Sequence, residues 1–342
     1  MAKPIALFDP HPRPPHLIFT PQMMQRLKSV VMLAGDGDGP MSDAEIDLQL
    51  GQASLVIGQT ALPRERLERA PHLRAIINVE GNFLPNVDYE ACFERGIQVL
   101  AVAPVFALPV AELALGMALD LARGITAGDR AFRHGQEAFG LSGNRRARIL
   151  TGTSIGMIGF GNLGRALLPL LQPFRPTIRV FDPWLPPGYL IDFGVLPATL
   201  DEVMSQSETI FILAGVTSEN QAMIGKRELA LVPDGGAVIL MSRAGVVDWD
   251  DFLAAASSGR ISLASDVFPV EPVSADDPVR ENHGILLSAH RGGAMSHVFN
   301  RIGEMVVDDT QMIVAGLPPV RLQAARRETV GRLRSPPGKG RA

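Results

Sequence analysis

Short apolar runs rich in valine and isoleucine alternate along the chain with segments of helical period. This alternation is typical of parallel sheets covered by helices, because parallel strands are buried on both faces and are joined by helical crossovers. The pattern therefore predicts an α/β protein with two doubly wound parallel sheets. The predicted strands span residues 29–34, 54–58, 75–79 and 97–101 in the first sheet, and 153–158, 177–181, 209–213, 237–241, 261–266 and 285–288 in the second.

Helical periods lie between the predicted strands. Ser42 and Glu45 form a capping box, in which the two side chains satisfy free N–H groups at a helix start. Further helices are predicted at residues 64–70, 89–95 and 301–315. The longest helix, predicted at residues 110–131, has apolar positions in more than one stripe, so it is buried widely inside the monomer or against a second subunit.

The composition is that of a globular chain, with 46% hydrophobic and 20% charged positions among 342 residues. A formal net charge of -4 gives no reason to expect a nucleic acid or an anionic membrane as a partner. The longest apolar stretch, residues 108–122, is shorter than a bilayer span and is interrupted by Glu112 and Asp120. No membrane-spanning segment is expected.

The chain has one cysteine, Cys92, so no internal disulfide can form. The histidines show no metal-ligand spacing, and no metal site is predicted. This cysteine content fits a reducing, cytoplasmic environment.

A glycine motif follows the first strand of the second sheet. Gly159, Gly161 and Gly164 form the pattern G-x-G-x-x-G between a buried strand and a helix. The first glycine permits a tight turn, the second lets a pyrophosphate approach the backbone, and the third lets helix and strand pack closely. The N–H groups at the helix start then face the phosphates. The motif also occurs in turns that bind no ligand, so the surrounding sequence must show whether it indicates a dinucleotide-binding site.

The context is a carboxylate at the end of the next strand. Asp182 lies about twenty residues beyond the first glycine, where it can accept hydrogen bonds from the adenosine ribose hydroxyls. Pro183 and Trp184 follow it, so no arginine is present there to bind a 2′-phosphate, which the carboxylate would also repel. The sequence therefore predicts NAD rather than NADP as the cofactor.

Three charged residues follow later strands of the second sheet, namely Arg243, Glu271 and His290. Reduction of a 2-oxo acid needs a cation for the carboxylate and carbonyl oxygens and a proton donor for the carbonyl oxygen, and Arg and His suit these tasks. A carboxylate beside the imidazole would orient it and favour its charged form. The spacing alone leaves a second interpretation open, in which each residue is an ordinary surface charge or a satisfied polar group.

Five segments resemble, in order, the motifs of the D-isomer-specific 2-hydroxyacid dehydrogenases, which include glyoxylate/hydroxypyruvate reductases and phosphoglycerate dehydrogenases. They are residues 110–112, the glycine motif, and residues 242–245, 266–272 and 289–293. The resemblance covers roughly residues 50 to 320. It implies an NAD-dependent enzyme that transfers a hydride between the nicotinamide and a small 2-oxo or 2-hydroxy carboxylate.

The resemblance also implies roles for individual residues. Arg243 would bind the substrate, His290 would be the general acid/base, and Glu271 would be its partner. Asp266 would hold the nicotinamide carboxamide. The implied cofactor-binding residues are Gly159, Gly161, Asn162, Leu163, Gly164, Asp182, Thr217 and Asp266.

The same resemblance implies a Rossmann NAD-binding domain at residues 105–293. It further implies a discontinuous, flavodoxin-like substrate domain at residues 1–104 and 294–320, with a cleft between the domains. A homodimer through the helix that starts near Val110 is expected as well. Residues 321–342 are expected to form a basic, loosely packed tail.

The substrate loop departs from the family pattern. The family sequence is similar to Gly-Val-Gly-x-Asp-Asn-Ile-Asp, whereas residues 78–88 read Asn-Val-Glu-Gly-Asn-Phe-Leu-Pro-Asn-Val-Asp. By resemblance, backbone N–H groups of Val79, Glu80 and Gly81 would hold the substrate carboxylate. The Glu80 side chain would repel an anionic substrate unless it points away or meets a cationic or hydroxyl group on the substrate, which argues against a plain small acid.

A second hypothesis is a non-enzymatic NAD(H)-sensing module of the same fold. It requires cofactor binding but does not require Arg243, Glu271 or His290. All three residues are present, which favours the enzyme.

Overall fold

The computed structural model describes residues 3–334. The described residues divide into two compact units, the first formed by residues 3–106 and 294–334 and the second by residues 107–293. The strands are Ile5–Asp9 (β1), Met32–Ala34 (β2), Ala53–Gly58 (β3), Ala75–Asn78 (β4), Gln98–Ala101 (β5), Ser154–Ile158 (β6), Thr177–Phe181 (β7), Leu196–Pro197 (β8), Thr209–Ile212 (β9), Ala237–Leu240 (β10), Ser262–Ser265 (β11), Ile285–Leu287 (β12) and Gln323–Ala324 (β13).

Helices connect most of these strands. The α-helices are Pro15–Ile18 (α1), Pro21–Val30 (α2), Asp43–Leu50 (α3), Arg64–Glu68 (α4), Tyr89–Glu94 (α5), Ala107–Arg123 (α6), Ile125–Arg133 (α7), Asn162–Leu171 (α8), Pro187–Asp192 (α9), Leu200–Gln206 (α10), Lys226–Leu231 (α11), Trp249–Ser257 (α12), Ser296–Val314 (α13) and Arg327–Val330 (α14). The capping box predicted at the start of α3 is present, with Ser42 and Glu45 bonded to each other's backbone N–H groups.

Each unit contains one doubly wound sheet. The first sheet has the order β13-β5-β4-β3-β1-β2 and is parallel except for β13. The second has the order β12-β11-β10-β9-β6-β7-β8 and is parallel throughout. The predicted fold class, with two doubly wound parallel sheets, is confirmed. In such sheets, the loops after the strands share the carboxyl edge, where ligands bind.

The start of the first unit differs from the prediction. β1, at Ile5–Asp9, was not predicted, and the strand predicted at residues 29–34 begins only at Met32. The preceding residues form α2, because the Thr20 side chain caps the helix by accepting from the Met23 N–H and Pro21 occupies the first helical position.

The single long helix predicted at residues 110–131 is two helices. α6 ends at Arg123 and α7 begins at Ile125, because Gly124 has φ of 64° in the left-handed region that glycine adopts without strain. Asp120 stabilises the break by accepting the Thr126 backbone N–H at 2.8 Å.

One stretch, Ala103–Arg123, is long and apolar enough to cross a membrane by length and composition. Its helix α6 packs against α8, and its small residues Ala111, Ala114 and Ala118 are buried in the core of the second unit. We therefore interpret α6 as a core helix.

The segment expected to be a loose tail packs on the first unit. Asp309 in α13 is fully buried, and its carboxylate accepts the backbone N–H groups of residues 320–322. β13 then pairs with β5, and Leu322 and Ala325 are buried. The expectation of a tail from residue 321 is therefore wrong up to this point, and residues 335–342 lie outside the described part of the chain.

Candidate active site

The glycine turn joins β6 to α8. Gly159 has φ of 92°, and a Cβ there would lie 2.7 Å from the Ala214 backbone, so only glycine fits. A Cβ on Gly161 would meet no atom within 4 Å, which leaves open space for a ligand close to the backbone. A Cβ on Gly164 would lie 3.0 Å from the Gly159 carbonyl, so this glycine permits close helix packing. The three glycines thus meet the backbone requirements of a dinucleotide-binding turn, and contact with a pyrophosphate stays a prediction.

The first turn of α8 carries two further predicted cofactor residues. Asn162 Oδ1 accepts a hydrogen bond from Arg165 Nη2 at 3.0 Å. Leu163 packs against the hydrophobic core of the second unit. Both residues lie at the helix start, where backbone N–H groups favour phosphate oxygens.

Asp182 lies directly after β7 and next to the glycine turn. Its Oδ2 accepts the Phe160 N–H at 2.8 Å, and its Oδ1 accepts the Trp184 N–H at 3.0 Å. The two bonds fix the orientation of the carboxylate. A fixed carboxylate at this position fits the ribose hydroxyls of NAD and opposes the 2′-phosphate of NADP.

The loop after β9 flanks the glycine turn on the other side, because β6 lies between β7 and β9. The Thr217 N–H donates to Asn220 Oδ1 at 2.7 Å, and the Asn220 amide donates to the Gly215 carbonyl at 2.8 Å. The Trp184 indole N–H reaches Glu219 Oε2 at 3.4 Å and so connects this loop with the loop after β7. No motif in the sequence indicated this connection.

His290 and Glu271 are in direct contact. His290 Nδ1 lies 2.7 Å from Glu271 Oε2, and the two side chains are 36% and 18% exposed. The residues are on the loops that follow the neighbouring strands β12 and β11. Glu271 Oε1 also accepts the Phe268 N–H at 3.0 Å, so the carboxylate is held from two sides. An ionised Glu271 requires Nδ1 to carry the proton, which leaves Nε2 as the nitrogen that can exchange a proton with a ligand.

Asp266 holds the loop that carries His290. It is 2% exposed, and its two oxygens accept the N–H groups of Arg291 and Gly292, each at 3.0 Å. His290 itself has φ of 49°, which is uncommon for a residue with a side chain. Each carboxylate oxygen has a further lone pair, so the contact of Asp266 with a nicotinamide carboxamide stays a prediction.

Arg243 lies on the loop after β10, and β10 is the neighbour of β11. Its Nη1 donates to the Ser242 carbonyl at 2.7 Å. Arg243, Glu271 and His290 therefore follow three adjacent strands at one edge of the sheet. In the described part of the chain, the buried hydroxyls of Ser242 and Ser288 at this edge have no hydrogen-bond partner. Such hydroxyls are suited to a polar ligand, and no motif had indicated them.

The predicted substrate loop belongs to the first unit. Val79 is fully buried, and the Glu80 N–H donates to Asn78 Oδ1 at 2.9 Å, within the loop itself. The Glu80 carboxylate pairs with Arg13 at 2.7 Å. The charge of Glu80 is therefore paired with a cation of the same unit, and its effect on an anionic substrate stays a prediction. No sequence signal linked the two residues.

The geometry of the second unit is that of a dinucleotide-binding oxidoreductase domain. Residues 115–292 match the family model described as "D-isomer specific 2-hydroxyacid dehydrogenase, NAD binding domain". The match covers more than half of the chain, which therefore belongs to the D-isomer specific 2-hydroxyacid dehydrogenase family. The resemblance and the predicted cofactor, NAD, are thereby confirmed.

Individual relatives span the chain to different extents. A D-3-phosphoglycerate dehydrogenase of Mycobacterium bovis is 27% identical over 82% of this chain and 52% of its own length. A hydroxypyruvate reductase of Thermotoga maritima is 28% identical over 74% of this chain and 82% of its own length. The crystal structure of a phosphoglycerate oxidoreductase from Rhizobium etli has a TM-score of 0.87 and 46% identity, covering 96% of this chain and 100% of that one. The chain spans about half the length of the curated phosphoglycerate dehydrogenases that it matches.

Proposed function

We propose that the protein is an NAD-dependent oxidoreductase that interconverts a 2-oxo acid and the corresponding D-2-hydroxy acid. The observation that carries this proposal is the 2.7 Å contact between His290 Nδ1 and Glu271 Oε2 at the carboxyl edge of an NAD-binding sheet. A carboxylate that fixes one imidazole nitrogen leaves the other to exchange a proton, as a general acid/base must.

In the direction of reduction, the glycine turn and Asp182 would hold NADH, which would supply the hydride for the new C–H bond at the 2-oxo carbon. Protonated His290 donates its Nε2 proton to the carbonyl oxygen, which becomes the hydroxyl. Arg243 binds the carboxylate and carbonyl oxygens through charge-assisted hydrogen bonds. Glu271 stabilises the charged imidazole and keeps its orientation.

The remaining predicted residues have binding roles in this proposal. The turn from Gly159 to Gly164 would hold the pyrophosphate, Asp182 the adenosine ribose, and Thr217 and Asp266 other parts of the cofactor. In the first unit, the N–H groups of the loop at Val79, Glu80 and Gly81 would bind the substrate carboxylate. Because Asn78 already accepts the Glu80 N–H, that group can serve a ligand only by giving up Asn78.

The test is NADH oxidation with glyoxylate, hydroxypyruvate, phosphohydroxypyruvate and bulkier 2-oxo acids. His290→Gln keeps a side chain of similar polarity but cannot transfer the proton, so kcat is expected to fall about a thousandfold. The NADH affinity, measured by fluorescence titration, should not change. His283→Gln, an exposed histidine in the same unit, is the matched control.

Two outcomes would contradict the proposal. Full turnover by His290→Gln would remove His290 from the acid/base role. NADH binding without turnover on any acid would favour the NAD(H)-sensing module, which does not need the contact between His290 and Glu271.

We further propose a homodimer formed through the segment that begins with α6. No residue of α7 is buried, and Ile125, Phe132, Phe139 and Leu141 are 58%, 63%, 77% and 86% exposed. Exposed apolar patches mark interaction surfaces, and a second copy related by twofold symmetry is the commonest partner. Light scattering should give a dimer for the full chain and a monomer for Phe139→Ser with Leu141→Ser. A monomeric parent protein would contradict this.

A cytoplasmic location is part of the same proposal. Cys92 is a buried free thiol, and a reducing compartment would keep it in that state. Fractionation of cells that express the full chain tests this, and recovery from the membrane or from outside the cell would contradict it.

A further inference from the structure

An ion pair joins two loops at the carboxyl edge of the sheet in the first unit. Arg13 Nη2, in the loop after β1, donates to Oε2 of Glu80, in the loop after β4, at 2.7 Å. Because β3 lies between β1 and β4, the pair spans the end of β3. This edge is where doubly wound domains bind their ligands. The side chains are 18% and 15% exposed, so a ligand can still reach them.

Two buried side-chain nitrogens on the loops at this edge have no hydrogen-bond acceptor. Within residues 3–334, the buried Arg13 Nε and Gln59 Nε2 have no hydrogen-bond partner. Gln59 follows β3, and its N–H donates to the Asp9 carbonyl at the start of the loop that carries Arg13. The Phe299 ring, with its centroid 4.9 Å from Arg13 Cζ, supports the guanidinium. The two unpaired nitrogens are buried, so a ligand meets only the partly exposed parts of the Arg13 and Glu80 side chains.

The two charges of the pair cancel. An anion that approaches Arg13 also meets the Glu80 carboxylate, so the attraction is much weaker than for an isolated cation. A partly buried ion pair is also weak support for stability, because the loss of hydration offsets the attraction. The pair therefore offers hydrogen-bond donors with little net charge, which suits an uncharged polar group.

We propose that Arg13 and Glu80 select the tail of the substrate. They accept an uncharged, hydroxylated tail and disfavour a tail with a second negative charge. This inference rests on the proposed function and adds a substrate class to it, namely acids with one carboxylate. The names of several relatives indicate a phosphorylated acid instead. The two classes differ by a single phosphate group, so they can be compared directly.

The test is calorimetric binding of D-glycerate and 3-phospho-D-glycerate in the presence of NADH, with which a 2-hydroxy acid cannot react. The unmodified protein should bind D-glycerate more tightly. Glu80→Gln exposes the charge of Arg13 and should raise the affinity for the phosphorylated acid, relative to D-glycerate, by about tenfold. Arg13→Gln leaves Glu80 unpaired and should change the ratio in the opposite direction.

Opposite changes of the affinity ratio in the two variants indicate that the pair selects between the two acids. A pair with only a structural role would instead weaken the binding of both acids in both variants. Glu90→Gln is the matched control, because it removes a carboxylate from the exposed pair with Arg327 in the same unit. Thermal denaturation checks that each variant is folded. If Arg13→Gln does not fold, Glu80→Gln alone tests the proposal. This variant is expected to fold, because its amide oxygen can still accept a hydrogen bond from Arg13.

The proposed selection by Arg13 and Glu80 would be overturned if the ratio of the two affinities is unchanged in folded variants. It would also be overturned if the unmodified protein binds the phosphorylated acid more tightly. The proposed function fails separately. If no 2-oxo acid is reduced but the variants change the binding ratio as expected, the proposed selection by Arg13 and Glu80 is supported and the proposed reaction is wrong. If neither acid binds to the unmodified protein, both proposals are overturned.

Discussion

Asp266 in the second unit and Asp309 in the first are two buried carboxylates with the same local task. Asp266 is 2% exposed and accepts the N–H groups of Arg291 and Gly292. Asp309 is 0% exposed and accepts the N–H groups of residues 320–322. Each carboxylate holds a segment that follows a regular element. The segments differ, since one carries His290 and the other leads into β13.

The difference shows that burial and hydrogen bonding alone do not identify a functional carboxylate. Asp266 stands in a family motif at the end of β11, whereas Asp309 lies within α13, where a polar residue is usually on an exposed face. The role of each depends on what it holds in place. A comparison of matched variants can therefore separate a contribution to stability from a contribution to catalysis.

The largest effects are expected from Asp266→Asn and Asp309→Asn. Each change replaces a charged acceptor by an amide and leaves a buried N–H group poorly paired, so each should lower the free energy of unfolding by about 2 kcal/mol. Only Asp266→Asn should also lower kcat, by about a hundredfold, because the loop with His290 is no longer held in position. Urea denaturation and NADH oxidation measure the two effects.

The distinction between the two carboxylates would be wrong if folded Asp309→Asn loses as much kcat as Asp266→Asn. It also fails if Asp266→Asn loses stability but keeps full turnover, since Asp266 would then have only a structural role. NADH titration of both variants adds a further distinction. A loss of NADH affinity confined to Asp266→Asn would support its predicted contact with the nicotinamide carboxamide.

A smaller effect is expected from Asp182→Asn. The amide keeps the shape of the side chain but removes the charge, so the NADH affinity should fall and the NADPH affinity should rise, each by about tenfold. Fluorescence titration with the two cofactors measures the ratio. Asp192→Asn, at the exposed end of α9, removes the same charge without contact with the glycine turn and should change neither affinity. An unchanged ratio in Asp182→Asn would contradict the ribose assignment.

Much of the fold was predictable because its strands are buried on both faces. β4 and β10 are buried at every position, and such strands are continuous apolar runs in the sequence. The predictions were wrong where a single residue, or a partner distant in the sequence, determines the local structure. The break at Gly124 depends on one left-handed residue, and the two-residue strand β13 forms only by pairing with β5.

In the candidate site too, features with a local sequence pattern could be predicted, whereas contacts between distant residues could not. The glycine turn could be predicted because three backbone requirements lie within six residues, from Gly159 to Gly164. His290 and Glu271 are 19 positions apart, and the family motifs indicated both. Arg13 and Glu80 are 67 positions apart, and Arg13 stands in no motif, so their contact depends on the tertiary structure alone.

The smallest effect concerns Cys92, a buried residue of the first unit without a predicted function. Burial raises the pKa of the thiol from 9.0 to about 12. The unfolded chain therefore releases the proton above pH 9.0, while the folded protein retains it, so stability is full at lower pH and is lost as the pH rises. The expected loss is about 1 kcal/mol at a pH of about 10.

Cys92→Ala should be less stable near neutral pH, because it leaves a small cavity, but its stability should fall less steeply with pH. Urea denaturation between about pH 8 and about pH 10 measures both slopes. Burial also raises the pKa of Tyr89 above its ordinary 10.0, but both proteins contain this phenol, so the difference between their slopes reports on Cys92. Equal slopes would mean that the thiol ionises in the folded protein, and Cys92 would then be more accessible than its burial indicates.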